Sequence, residues 1–217
     1  NITLVNSGVL TITGNAVADA DLTITSGGGN VSISGNLDSK TSAKDIDIVT
    51  GAGLTTIGGN IGATTGLVAL KTLDINAVVD AANTGGATLS GDVGVGLTSG
   101  TTPGVTGNVV IGNTNTSGAI TLNGEKFNTT GTVAFDGGSY VVANGSTALT
   151  MVTNSKTIDF KTGNVTVGNN AFSIDTDTAD GGTDGANITF AGNIIGNTTG
   201  SVVSDLNFDA GAVGNVT

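Results

Sequence analysis

The sequence predicts an all-β protein, a right-handed parallel β-helix (β-solenoid) of roughly nine coils, and three observations carry that expectation. Good helix formers never accumulate, because Gly interrupts every candidate segment. The apolar residues fall in short runs that alternate with Thr, Ser or Asp, the period-two pattern of a strand with one buried face. The runs also recur, with near-identical local motifs at intervals of 20 to 30 residues.

Composition sets the frame. Of 217 residues, 37 are Gly, 37 Thr, 23 Asn and 15 Ser, just over half the chain. Such a chain is not thereby disordered, since disorder needs low hydrophobicity and high charge. Here mean hydropathy is +0.26, charged residues are 11%, and Pro103 is the single proline. Val, Ile and Thr are β-branched and favour strands. Aromatics are only 3%, so the apolar mass must be spread over many short strands instead of one globular core.

Taken in order, alternation places strands at 2–5, 10–13, 22–25, 31–34, 46–49, 54–57, 73–76, 87–90, 109–111, 120–122, 132–135, 140–142, 149–153, 158–160, 165–167, 172–175, 188–190 and 206–208. The segment 67–79 is the best helical candidate and still reads better as a strand pair. Leu10-Thr-Ile-Thr and Leu22-Thr-Ile-Thr are identical. A second motif ends in Gly-Asn or Gly-Asp: Thr11-Ile-Thr-Gly-Asn-Ala16, Ser32-Ile-Ser-Gly-Asn-Leu37, Thr56-Ile-Gly-Gly-Asn-Ile61, Thr88-Leu-Ser-Gly-Asp-Val93 and Thr189-Phe-Ala-Gly-Asn-Ile194. Leu22 and Ile46 stand 24 apart, Phe135 and Phe160 stand 25 apart.

A degenerate period with two or three strands per repeat is the pattern of a solenoid. Coils turn at Gly-Asn and stack at about 4.8 Å, so that inward positions form apolar ladders and outward positions form Thr, Ser and Asn ladders. The whole of 1–217 is expected to be one solenoid segment, with an insertion loop near 94–106 and an acidic loop near 175–187. A β-sandwich also spaces its strands this closely, but the missing Trp, the sparse aromatics and the repeated motifs count against it.

Charge and residue types exclude several functions. Sixteen Asp and one Glu against six Lys give a net charge of −11, which disfavours nucleic acid and anionic membrane surfaces. No apolar run reaches the length of a membrane-spanning helix, so no membrane insertion is expected of this segment. The chain opens on Asn1-Ile-Thr-Leu-Val without Met, and both ends read as interrupted strands. The expectation is a segment of a longer chain.

The stretches Asp21-Leu-Thr-Ile-Thr-Ser-Gly-Gly-Gly-Asn-Val-Ser-Ile-Ser-Gly-Asn-Leu37 and Asp45-Ile-Asp-Ile-Val-Thr-Gly-Ala-Gly-Leu-Thr-Thr-Ile-Gly-Gly-Asn-Ile61 resemble the repeats of large bacterial surface proteins. The similar families are autotransporter passengers, filamentous haemagglutinin-like exoproteins and rickettsial-type surface antigens. The resemblance covers nearly the whole chain, as composition and rhythm. It implies an extracellular or cell-surface β-helix that adheres to host-cell or neighbouring-cell surface molecules, or that builds extracellular layers from copies of itself.

Candidate sites are few. Asp175, Asp177, Asp180 and Asp184 lie within ten residues among glycines, a composition that suits Ca²⁺, although the spacing is not that of an EF-hand. A solvated acidic loop explains the same residues. Asp19 with Asp21, and Asp45 with Asp47, are carboxylates at strand spacing, which places each pair on one face. A glycosidase needs such a pair across a cleft. The chain has no His, Cys, Trp or Arg, which argues against an enzyme, so no catalytic residue and no organic cofactor are assigned. Gly27-Gly-Gly-Asn30 lacks the Lys and helix of a phosphate loop and reads as a coil turn. The pairs Thr11/Thr13 and Thr23/Thr25 suggest an ice-binding face, but they do not persist along the sequence.

Overall fold

The computed structural model describes residues 1–62, 64–95, 102–143, 148–177, 184–196 and 205–217. Among these residues there are 22 strands and no helix, hence none long and apolar enough to cross a membrane. Every strand pair is parallel.

The first sheet stacks eight strands in chain order: Ile2–Asn6, Leu22–Ser26, Asp45–Val49, Thr72–Ile75, Val109–Gly112, Val133–Asp136, Ile158–Phe160 and Ile188–Phe190. The second also stacks eight: Leu10–Ile12, Val31–Ile33, Thr55–Ile57, Ala87–Leu89, Ala119–Leu122, Ser139–Val142, Asn164–Val167 and Ile194–Gly196. On a third face, Ala16–Ala18 pairs with Leu37–Ser39, and Lys126–Asn128, Leu149–Val152, Phe172–Asp175 and Leu206–Asp209 form a four-stranded sheet. Single bridges Leu37–Ile61, Ile61–Val93 and Val93–Phe127 join the two parts. The chain therefore visits the three faces in rotation and returns to the first one rung further on, an architecture consistent with a parallel β-helix. Eight strands at the usual spacing make a column about 34 Å deep.

Alternation decides which side chains fill the interior. In the first sheet Ile24, Ile48, Ile75, Ile111, Phe135 and Phe160 stand in one register column, all fully buried. Ile46, Leu73, Val109, Val133, Ile158 and Ile188 form the column beside it. The repeats read from the sequence are thus neighbours in space: Leu22 pairs with Ile46, and Phe135 with Phe160. Aromatics occupy only the later rungs. Phe135, Tyr140, Phe160, Phe172, Phe190 and Phe208 form a chain of ring contacts at 5.0–6.5 Å. The Tyr140 hydroxyl donates to Phe135 O at 2.9 Å and accepts from Gly137 N–H at 3.0 Å, so its burial leaves no polar atom unmet.

The Gly-Asn turns have a specific physical role. The carboxamide oxygen of Asn15 accepts the N–H of Asn36 at 2.9 Å, Asn36 accepts that of Asn60 at 2.9 Å, and Asn60 accepts that of Asp92 at 3.0 Å. Asp92 continues the series with the N–H groups of Glu125 and Lys126. Each of the three Asn side chains lies over the glycine of the next rung, Gly35, Gly59 and Gly91. A Cβ on Gly59 would sit 2.6 Å from the backbone carbon of Gly35 and against the Asn36 carboxamide oxygen. Gly59→Ala is therefore expected to cost roughly 1–3 kcal/mol through forced separation of rungs, read as a lower denaturation midpoint. An unchanged midpoint would remove this explanation of the motif.

Eighteen strands fall where alternation placed them, with no end shifted by more than one residue. Four were not expected: Ala16–Ala18, Leu37–Ser39, Lys126–Asn128 and Ile194–Gly196. The segment 67–79 is not a strand pair: only Thr72–Ile75 is a strand, with single bridges at Val68 and Leu70. Of the two loops expected near 94–106 and 175–187, residues 96–101 and 178–183 lie outside the described residues.

Candidate functional site

Two kinds of site can be built from the residues: carboxylates on the outer faces, and grooves at the corners between sheets. The first sheet turns Thr23, Asp47, Asp74, Val110, Ala134 and Asp159 outward, one per rung. Asp45 is paired with Lys71, whose ammonium stands 2.8 Å from its carboxylate, and accepts a hydrogen bond from the Thr72 hydroxyl at 2.9 Å. The Lys71 hydrogen bond outweighs the burial that opposes it and, joined by the Thr72 hydrogen bond, holds Asp45 below the usual carboxylate range. Asp19 is held low in the same way by Lys40, at 3.3 Å, and by Thr41. Asp21 accepts the Asp45 N–H at 3.2 Å and so acts as a rung-to-rung tie.

Asp47 and Asp74 behave oppositely. They are register partners on adjacent strands, and neither forms an ion pair among the described residues. Burial raises Asp47. Burial first, then repulsion from Asp47 and Asp45, pushes Asp74 from 3.8 to about 6. The pairing across strands thus matters more than the pairing along one strand that spacing suggested. A folded-state value above the unfolded one means the proton is bound more tightly when folded. This contribution to stability is complete below about pH 4 and is lost as pH rises through about 6. Because the site is half exposed, we expect about 1 kcal/mol at pH 7. Asp74→Asn should raise the melting temperature by a few degrees at pH 7 and leave it unchanged at pH 3.5. Equal shifts at both pH values would contradict the assignment.

The proposed calcium ligands are placed only in part. Asp175 ends a strand of the third sheet, and its carboxylate accepts the Asp177 N–H at 2.9 Å. Asp177 is buried, and Asp184 accepts the Ser155 hydroxyl at 2.9 Å. Asp180 lies outside the described residues. Among the described residues no three carboxylates gather in a metal-binding group. The Thr176 hydroxyl donates to Ala186 O at 2.7 Å and accepts the Ala186 N–H, which brings the two ends of this acidic segment together.

The corner between the first and second sheets holds a buried polar network that sequence reading missed. Asn76 is fully buried with φ of 50°, a left-handed conformation that Asn tolerates better than most residues. Its carboxamide accepts the Thr50 N–H at 2.8 Å and donates to Gly85 O at 3.1 Å. Asn113 in turn donates to the Asn76 and Asn83 carbonyls. This network carries the segment 77–86 outward, beside an open groove of about 500 Å³ lined by Gly27, Gly28, Val49, Ala52, Ala81 and Ala82 among others. Val78 and Val79 are exposed on the same segment, at 61% and 68%. The lining is largely apolar and contains no titratable group. A second groove, more polar, follows the Asn15–Asn36–Asn60 series at the corner between the second and third sheets. Asp47 and Asp74 line neither groove.

The hydroxyl column on the second sheet is longer than the sequence suggests. Thr11, Ser32, Thr56, Thr88 and Thr121 follow one another in register, before Val141 interrupts. The neighbouring column, opened by Thr13 and Ser34, is broken by Gly58, so paired hydroxyls do not continue. Comparison with family models, with curated proteins and with solved structures returned no match.

Proposed function

We propose that this chain is a structural and adhesive segment of a bacterial cell-surface or secreted protein. In this reading it is a right-handed β-helical rod of roughly nine coils that presents binding surfaces to molecules on host or neighbouring cells. The observation that carries it is the unbroken apolar column from Leu22 to Ile188 inside faces of Thr, Ser, Asn and Asp. Each rung is hydrogen-bonded to the rung on either side, so bending requires many bonds to open together. The bridge between Ile188 and Val216 supports counting one further pass after the eight-strand sheets. Right-handedness is supported by the strong preference of parallel crossovers for that hand. The mechanism is mechanical, and no single residue performs it.

Self-assembly into an extracellular lattice, sheath, filament or biofilm matrix is the second reading. The exposed Val78 and Val79 beside the apolar groove favour it. Sedimentation velocity across a concentration series, with and without Ca²⁺, separates the two. An elongated monomer at every concentration, together with retention on intact cells, supports the adhesive rod. Growth with concentration supports assembly, and growth only with Ca²⁺ makes the segment of Asp175, Asp177, Asp180 and Asp184 the site to mutate. Neither retention on cells nor growth would overturn both.

A further inference from the structure

We propose that the Asn15–Asn36–Asn60 series forms one wall of a groove that binds a neutral oligosaccharide. The groove has a volume of about 380 Å³ and is lined by Asn15, Asn36, Asn60, Thr64, Thr65, Leu67 and Val95. That volume is within the range of small-molecule sites, about 300–1,000 Å³. The proposal rests on the adhesive reading and names a ligand class for it.

The donor pattern comes from the ladder. Each Oδ1 is committed to a backbone N–H of the next rung, which fixes the orientation of the carboxamide. Among the described residues no acceptor takes the three Nδ2 groups. They follow one another at the strand spacing, about 4.8 Å, as a row of donors along the groove. The opposite wall is held in place by a fully buried carboxylate, Asp38. It accepts the Thr64 hydroxyl at 2.6 Å and the Thr64 N–H at 3.1 Å. Val68 N–H to Ser39 O at 2.8 Å closes the same loop onto the third sheet. Both walls are therefore set by hydrogen bonds before any ligand arrives, which lowers the ordering cost of binding.

The chemistry selects among ligands. A row of donors matches a chain that offers acceptor oxygens at every unit, as a glycan does with its ring and hydroxyl oxygens. The exposed Thr65 hydroxyl can accept from a sugar hydroxyl, and Leu67 and Val95 present apolar surface to sugar C–H faces. An extended peptide is a poorer match, because strand addition requires donors and acceptors in alternation. A polyanion is opposed by the net charge of −11, although the Lys126 ammonium stands 3.5 Å from Val95 O.

The test is a titration of the protein with cellohexaose, maltohexaose and fully N-acetylated chitohexaose, all neutral, followed by nuclear magnetic resonance of the side-chain amides. At least one hexasaccharide is expected to shift the Asn15, Asn36 and Asn60 Nδ2 signals. Asn36→Asp keeps the acceptor that the ladder needs and removes the donor. Asp92 already fills that role one rung on from Asn60. Asn36→Asp is expected to weaken binding at least tenfold with an unchanged melting temperature. Thr65→Val, at an exposed position, is expected to weaken it severalfold and serves if Asn36→Asp does not fold. No shift with any of the three, or unchanged affinity in the folded variants, overturns the proposal. Retention of the protein on cells without any groove response overturns the groove and leaves the adhesive reading. A groove response without retention on cells does the reverse.

Discussion

Ile57→Asp is expected to unfold the rungs around the second sheet, with a loss of more than about 4 kcal/mol. Ile57 is fully buried and stacked between Ile33 and Leu89. A carboxylate there would be enclosed in the apolar cluster, away from any cation. It must either keep its proton at a cost or force the coil open to water. Because each rung contacts chiefly its two neighbours, the opening spreads to the adjoining rungs before it reaches the rest. The same strand supplies a control of opposite sign. Thr55 is fully buried, and its hydroxyl oxygen has no hydrogen-bond partner among the described residues. Thr55→Val keeps the shape, removes the unmet polar group, and should stabilise by about 1 kcal/mol. Phe190→Asp should be milder than Ile57→Asp, because Phe190 is only partly buried. Denaturant unfolding followed by the β-sheet circular dichroism signal measures all three. Wild-type unfolding of Ile57→Asp would mean that Ile57 does not face the interior.

Phe160→Ala is the second large effect, expected to cost about 4 kcal/mol. Phe160 sits at the centre of the aromatic rungs. Its ring lies 5.1 Å from Phe135 and from Tyr140, 5.0 Å from Phe190 in a stacked arrangement, and 6.4 Å from Phe172. Truncation removes the buried area and leaves a cavity walled by three sheets, which cannot close without breaking the ladder hydrogen bonds. For a chain of this length the loss corresponds to roughly 10 °C in melting temperature. Phe160→Leu refills most of the volume and should lose less than half as much. A drop of under 3 °C for Phe160→Ala would show that the later rungs do not share one aromatic core.

Much of this architecture was legible in the sequence because alternation and buried ladders have the same cause. Ile24, Ile48 and Ile75 repeat in the sequence since each must fill the same position one rung on. The third face was hardest to read. Ala16–Ala18 and Leu37–Ser39 follow the Gly-Asn turns at once: the first is apolar throughout although Val17 is exposed, and the second is buried at all three positions although two are polar, so neither residue pattern alternates. Asp38 shows the difficulty: it faces outward from its strand yet is fully buried, because the Thr64 segment folds over it. The Asn ladder left a clear trace, the repeated Gly-Asn, which turn chemistry alone explained adequately. Its second role depends on the next rung, and that contact is not local in sequence. The network of Asn76 and Asn113 left no repeat at all, since it links segments 37 residues apart.

The central claim is that the outward residues of the second sheet climb one rung at a time along a single axis. Spin labels at Thr11 paired with Thr121 span four rungs, and at Thr11 paired with Thr166 span six. Pulsed electron spin resonance should give a second distance longer than the first by about 10 Å, two strand spacings, and the contribution of the labels cancels in the difference. Equal distances, or a shorter one to Thr166, would contradict the stacked parallel ladder and every functional reading built on it.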